Sequence, residues 1–175
     1  SSISSNSMDA VSDRDFVIDY ISAAAIIAMH ISRLAEELII WTTEEFSFVA
    51  LPVEYTTGSS IMPQKRNPDF AEISRGKSGR IYGHLMSILT VMKSLPMTYN
   101  RDLQEDKESF FDTEDTLLGT LEVFSGMVSG LTVNKDLTEK AAEGGLSLAT
   151  DIADYLVAKG VPFRQAHSIV SQLSD

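Results

Sequence analysis

Residues 12–41 read SDRDFVIDYISAAAIIAMHISRLAEELIIW, and this stretch decides the fold class. Phe16, Tyr20, Ala24, Ile27, Ile31, Leu34, Leu38 and Trp41 recur at spacings of three and four, the period of an α-helix. Ser12-Asp13-Arg14-Asp15 supplies a capping oxygen and negative charge at its start, so the stretch predicts one helix of roughly 30 residues. From Ile21 to Met29 it is apolar on nearly every side, which calls for other helices around it. Its longest uncharged run, 20–32, and the similar run 81–92 fall short of the ~20 residues a bilayer requires, so no membrane span is expected.

Downstream the periodicity breaks. Pro52, Thr56-Thr57-Gly58-Ser59-Ser60, Pro63 and Asn67-Pro68 mark a long loop from Phe46 to Pro68, and loops of that size in compact domains are more often functional than not. Asp69 can open a second long helix, 70 to about 93. An extended link at 97–101 leads to a third, from about Asp102 to Gly130, charged in its first two turns and apolar later at Leu117, Leu118, Leu121, Phe124, Met127 and Val128. Three short amphipathic helices are expected at 136–142, 147–158 and from Phe163 onward, separated by Gly144-Gly145 and Gly160-Val161-Pro162. With no hairpin dipeptide between alternating strands and no internal repeat, the class is all-α. A boundary near 132–135 would divide the chain into 1–132, a helical bundle carrying the loop 56–68, and 133–175, a small C-terminal helical domain.

Composition narrows the function. The 175 residues carry 14 Lys plus Arg against 25 Asp plus Glu, a net charge of −11 that argues against a nucleic-acid partner. The absence of Cys excludes disulfides and thiolate metal sites and fits a reducing compartment such as the cytoplasm. The first residues, Ser1 to Ser7, have neither the basic nor the apolar region of a secretory signal. Yet Lys65, Arg66, Arg75, Lys77 and Arg80 face only Asp69 and Glu72, an island of +3 in a remainder of −14. Such an island suits either a small anionic ligand or a solvated helix face.

Ala71-Glu72-Ile73-Ser74-Arg75-Gly76-Lys77-Ser78 matches a relaxed phosphate-loop pattern. It follows Asn-Pro-Asp inside a helical run, where its N–H groups are committed to the helix, so no nucleotide site is expected. The stronger candidate is Gly58-Ser59-Ser60-Ile61-Met62-Pro63-Gln64-Lys65-Arg66-Asn67-Pro68: a pliable Gly-Ser-Ser segment, a lysine six residues past the first serine, an amide, and a helix N-terminus that favours anions. A serine needs a neighbouring cation or oriented donors to stabilise its alkoxide, and Lys65 with the helix start can supply them. Composition alone leaves open an anion-binding lid and a polar surface linker. His30, His84 and His167 lie in helical apolar patterns and read as structural; Glu105-Asp106-Glu108 reads as a solvated first turn with no metal.

The segment Gly58 to Pro68 resembles the signature of the fumarase/aspartase superfamily. Gln64, Asp69 with Arg75 to Arg80, the run Tyr99 to Glu108, Asn6 to Asp15 and Gly160 to His167 resemble the argininosuccinate lyases within it. The similarity extends over essentially the whole chain. It implies a long-helix bundle, no cofactor, no nucleic acid or membrane partner, and reversible anti β-elimination of argininosuccinate to arginine and fumarate by a homotetramer whose active sites are shared between subunits.

By the same resemblance, Ser59 is the catalytic base, Lys65 is catalytic, and Asn67, Tyr99, Gln104 and Lys107 bind substrate. Glu72 pairs with a histidine outside this chain. Gln104 and Lys107, three residues apart, are expected on one helix face. The family's histidine-bearing segment has no counterpart here, so the chain by itself is expected to be inactive. The alternatives are another superfamily lyase (adenylosuccinate lyase, fumarase or aspartase) and a crystallin-like protein without activity.

Overall fold

A computed structural model describes residues 3–143 and 149–172. A short helix α1, Ser7–Ser12, begins at Asn6, whose Oδ1 accepts from the Met8 and Asp9 N–H groups at 3.1 and 3.3 Å. The long helix α2 spans Asp15–Trp41, 27 residues. Its start differs from the expected cap: Ser12 closes α1, and Asp13 Oδ1 accepts from Asp15 N–H at 2.9 Å. Two further long helices follow, α3 at Asp69–Met92 and α4 at Asp106–Ser129, 24 residues each.

Three apolar layers fix how these helices pack. Leu38, Ala71, Phe124 and Met127 meet in one, Ala24, Ala25, Ala28, Ile81 and Leu117 in the next, and Val17, Ile21 and Ile88 with Phe110 in the third. Residue numbers rise along α2 and α4 as they fall along α3, so the bundle runs up, down, up. Alanines on α2 and Ala71 on α3 remove side-chain bulk where the helices meet, which lets ridges seat in grooves.

Only one stripe of α2 is covered. Phe16, Ile27 and Leu34, expected on the buried face, are exposed, as are Leu118, Leu121 and Val128 of α4. The buried face of α4 instead includes Ser109, Thr113, Thr116 and Thr120. Thr113 and Thr120 hydroxyls donate to the carbonyls of Ser109 and Thr116, both at 2.6 Å, so these groups are buried with their hydrogen bonds made. By length and composition alone α2 would also pass as a bilayer span, unlike the count of uncharged residues. Here its Val17, Ile21, Ala24, Ala28, Ile31 and Leu38 are buried against the bundle, as in a core helix.

The long loop is ordered by two small ladders. β1, Val49–Ala50, and β2, Thr57–Gly58, pair antiparallel with later strands: β2 with β3, Arg66–Asn67, in the register Thr57↔Asn67, and β1 with β4, Thr132–Val133, in the register Val49↔Val133. Between β1 and β2 a 3-10 turn at Val53–Tyr55 lies against the end of α4. There glycine is a packing requirement, since a Cβ on Gly126 would stand 1.9 Å from the Tyr55 hydroxyl oxygen.

Helices α5, Lys135–Glu143, α6, Ala149–Ala158, and α7, Phe163–Gln172, follow. The expected break at Gly144-Gly145 and helix start at Ser147 lie outside the described residues. Ala153, Ala166 and Val170 make a separate small core between α6 and α7. Gly160 turns the chain at φ +94°, and the Pro162 carbonyl accepts the N–H groups of Gln165 and Ala166 at the start of α7.

Candidate active site

Two groups of the expected site residues stand at opposite ends of α3. At its N-terminal end, β2 and β3 form a hairpin whose tip is Ser59 to Lys65. Thr57 donates from Oγ1 to Asp69, the first residue of α3, and ties the hairpin base to that helix end. Beside it opens a cavity of about 480 Å³ walled by Gln64, Lys65, Asn67 and Glu72 on the loop side and by Thr42, Thr43, Glu44 and Glu45 beyond α2.

Lys65, Asn67 and Glu72 are therefore brought together. Ser59 is on the same hairpin but not in the cavity wall. Half-buried, its Oγ accepts the N–H groups of Ile61 and Met62, each at 3.2 Å. Two backbone donors aimed at one oxygen stabilise negative charge on it, which is the requirement for a serine acting as a base. The cation Lys65 is exposed, and its backbone N–H bonds the Met62 carbonyl at 3.0 Å, closing the turn that bears it.

The second group lies where α3 ends. Ser94 and Thr98 adopt positive φ, +61° and +79°, in the link after α3. The Asn100 side-chain amide donates to the Pro96 and Thr98 carbonyls at 3.2 and 3.4 Å, bracing the turn from which exposed Tyr99 projects. Gln104 belongs to a 3-10 turn, Arg101–Glu105, whereas Lys107 belongs to α4. The two therefore stand on consecutive elements and not on one α-helix, and both side chains are exposed at this end of the bundle.

The acidic first turn needs a further correction. Asp106 is only 6% exposed and pairs with Arg14 and, at 2.9 Å, with Lys107 Nζ. Burial pushes the Asp106 pKa up, but hydrogen bonds from Lys107 and Arg14 outweigh it and hold the carboxyl below its ordinary range. Sequence reasoning missed both Arg14 and Asp106. The available signal was spacing: Leu103, Asp106, Ser109 and Thr113 fall on one buried stripe.

Two other members of the basic island, Arg75 and Arg80, are paired along the bundle. Arg75 bonds Glu36, while Arg80 and His84 both bond Asp112. His30 and His167 are exposed, His167 with its ring 6.2 Å from that of Phe163. The phosphate-loop pattern 71–78 is wholly inside α3, which commits its N–H groups to the helix.

A bundle of long antiparallel helices with a Gly-Ser-Ser…Lys-x-Asn-Pro hairpin at one end is the architecture of the fumarase/aspartase-type lyases. The chain aligns with a crystal structure of EDDS lyase in complex with formate at TM-score 0.85 and 31% identity, covering 97% of this chain and 34% of that one. It shares its fold with class II fumarase from Schistosoma mansoni at TM-score 0.78 and 18% identity, covering 98% and 41%.

Residues 1–83 match the family described as Lyase, and residues 146–175 match the argininosuccinate lyase C-terminal family. Argininosuccinate lyases of Lactococcus lactis subsp. cremoris strain SK11 and Geobacillus kaustophilus are 62% and 58% identical over 168 residues, 96% of this chain. The chain belongs to the argininosuccinate lyase family. It spans 37% of the length of these relatives.

Proposed function

We propose that this chain is part of a lyase that cleaves argininosuccinate to arginine and fumarate by reversible anti β-elimination. The observation that carries the reading is identity of 58–62% with argininosuccinate lyases across 96% of the chain, the serine loop included.

In this reading Ser59 Oγ removes a proton from the carbon next to a substrate carboxylate, and the electron pair passes into that carboxylate. The Lys65 ammonium, the Asn67 amide and the positive end of α3 stabilise the charge so concentrated. The pair then returns to form the carbon–carbon double bond of fumarate as the carbon–nitrogen bond breaks. The departing nitrogen takes a proton from an acid outside this chain. Glu72, on the cavity wall, orients a histidine supplied from outside the chain, and Tyr99, Gln104 and Lys107 bind substrate.

Geometry supports a site shared between subunits of a homotetramer. The loop end and the Lys107 end are separated by α3, 24 residues or about 36 Å at 1.5 Å per residue. No small dicarboxylate or tricarboxylate reaches across that distance, so the two groups serve one substrate only if different copies supply them. The uncovered apolar faces of α2 and α4 suit such packing. Residues 1–132 belong on this reading to the central bundle and 133–175 to a small C-terminal domain, a division supported by the separate α6–α7 core. The enzyme works in the cytoplasm, in keeping with a chain lacking cysteine.

The test is fumarate formation by the complete protein, followed by its ultraviolet absorbance. Turnover of argininosuccinate in preference to adenylosuccinate, malate and aspartate is expected; inertness toward argininosuccinate with turnover of one of the others would refute the assignment.

A further inference from the structure

Lys107 is the one site cation held by a buried partner. Its side chain is 62% exposed, a four-carbon stem with considerable rotamer freedom, yet its Nζ donates to Asp106 Oδ1 at 2.9 Å. Asp106 is itself fixed: its side chain is 8% exposed, and its other oxygen accepts from Arg14 Nε. Arg14 is fixed in turn. Its Nη1 donates to the Asp13 and Val11 carbonyls at 2.6 and 3.3 Å, so its guanidinium locks the short α1–α2 link to the first turn of α4. A relay therefore runs from the start of α2 to an ammonium at the surface.

We propose that Asp106, anchored by Arg14, is a positioning residue that aims the Lys107 ammonium at a substrate carboxylate. The proposal rests on the reading that Lys107 touches substrate. The carboxylate restricts where the ammonium can be before substrate arrives, reducing the ordering cost of binding. Asp106 and Lys107 together with Arg14 leave one net positive charge, presented by Lys107.

The experiment uses the complete enzyme. Asp106→Asn is expected to raise KM for argininosuccinate about tenfold with kcat changed less than about twofold, the loss of a charge-assisted hydrogen bond that acts in binding. In a Lys107→Met background the same substitution should add nothing further to KM, because its effect passes through Lys107. Arg14→Gln is the second variant: it leaves the Asp106–Lys107 bond but frees its anchor, and should show a smaller rise in KM that also vanishes with Lys107→Met. A role in folding alone would lower thermal stability while leaving KM within twofold, or would give losses that add to those of Lys107→Met; either result overturns the proposal. Should Lys107→Met leave KM at the wild-type value, the substrate role of Lys107 falls and the positioning role with it. Should Lys107→Met raise KM while Asp106→Asn and Arg14→Gln do not, positioning alone falls.

Discussion

The two ends of α3 hold their functional groups in different ways. At the loop end, Ser59 and Lys65 stand on a hairpin paired through two-residue strands, with turn hydrogen bonds inside its tip and the Thr57–Asp69 bond at its base. Nothing at that tip has the buried anchoring of the Arg14–Asp106–Lys107 relay at the other end. A segment with exposed backbone and few buried contacts opens at low free-energy cost, whereas a buried ion pair does not. On the proposed function, the first end is the one that closes over substrate and the second receives it in a fixed geometry, the division expected where loop closure completes a catalytic site.

The sharpest way to break that comparison is to remove the moving group's chemistry without touching the frame. Ser59→Ala in the complete enzyme should lower kcat by about 10³-fold, the scale of losing a positioned proton-transfer group. Thermal stability should stay the same, because Ser59 Oγ supports only its own turn. Rates are read from fumarate absorbance and stability from a melt; a variant retaining normal turnover would remove Ser59 from the mechanism.

The fixed end responds oppositely, in stability as well as in binding. Asp106→Asn leaves the largely buried Arg14 without its carboxylate and should cost about 2–3 kcal/mol, toward the low end for broken buried pairs because Lys107 keeps contact with water. The pH dependence follows from the lowered Asp106 pKa. A depressed carboxyl stabilises the fold fully above its unfolded pKa, and that contribution is lost as pH falls through the lower folded value. The wild-type protein should therefore lose stability steeply on acidification below about pH 4, the ordinary aspartate range, and the Asn variant more gently. Asp112, lowered chiefly by its bond to Arg80, adds to the same acid slope in both proteins. Chemical denaturation across that range measures the difference; identical slopes would mean the pair carries no stability.

These responses also explain which parts of the molecule were legible in the sequence. The long helices were, because Ile, Leu and Ala recur between Phe16 and Trp41 strongly enough to override any single residue; the observed helix, 27 residues against roughly 30 expected, ends at Trp41 but is not capped by Ser12, which closes α1. Which face each helix buries was not. Phe16, Ile27 and Leu34 fit the apolar period as well as Val17, Ile21 and Ala28, and periodicity cannot say which of two apolar faces meets α3. The signature run put Ser59, Lys65 and Asn67 on one loop, and the β2–β3 hairpin holds them there. Asp106 was hidden because its partner Arg14 is 92 residues away, and a long-range ion pair leaves no local pattern. The tight winding at Arg101–Glu105 was hidden for a different reason: Asp-Leu-Gln-Glu has ordinary helical composition, and nothing in it distinguishes a 3-10 turn from the first turn of an α-helix.

A smaller perturbation tests the base of the moving hairpin. Gly126→Ala places a methyl group against the Tyr55 hydroxyl and ring, and the ring is stacked edge-on against Phe70 with centroids 5.6 Å apart. Tyr55 cannot swing away without leaving Phe70, so the 3-10 turn must shift, at a cost of about 1–2 kcal/mol for overpacking. Loop placement should suffer with it, seen as a fall in kcat beside a lowered melting temperature. A melt shift with unchanged kcat would show that the hairpin tip is insulated from its base.

The smallest effect is expected at the link that carries Tyr99. Thr98 is β-branched and holds φ at +79°, a region that costs such a residue on the order of 1–2 kcal/mol and that glycine occupies freely. Thr98→Gly relieves that strain but gives the unfolded chain more freedom, an opposing term of roughly 0.5–1 kcal/mol. The net should be a stabilisation of about 0.5 kcal/mol, a rise of a degree or two in the melt. The Asn100 amide still bonds the carbonyls at 96 and 98, so the turn keeps its shape. If the strained threonine orders Tyr99 for substrate, the more stable variant should bind substrate less well, with KM raised about twofold, because a looser link returns some ordering cost to the binding step. Stabilisation with KM unchanged would make the strain at Thr98 incidental and leave Asp106 as the source of rigidity at this end.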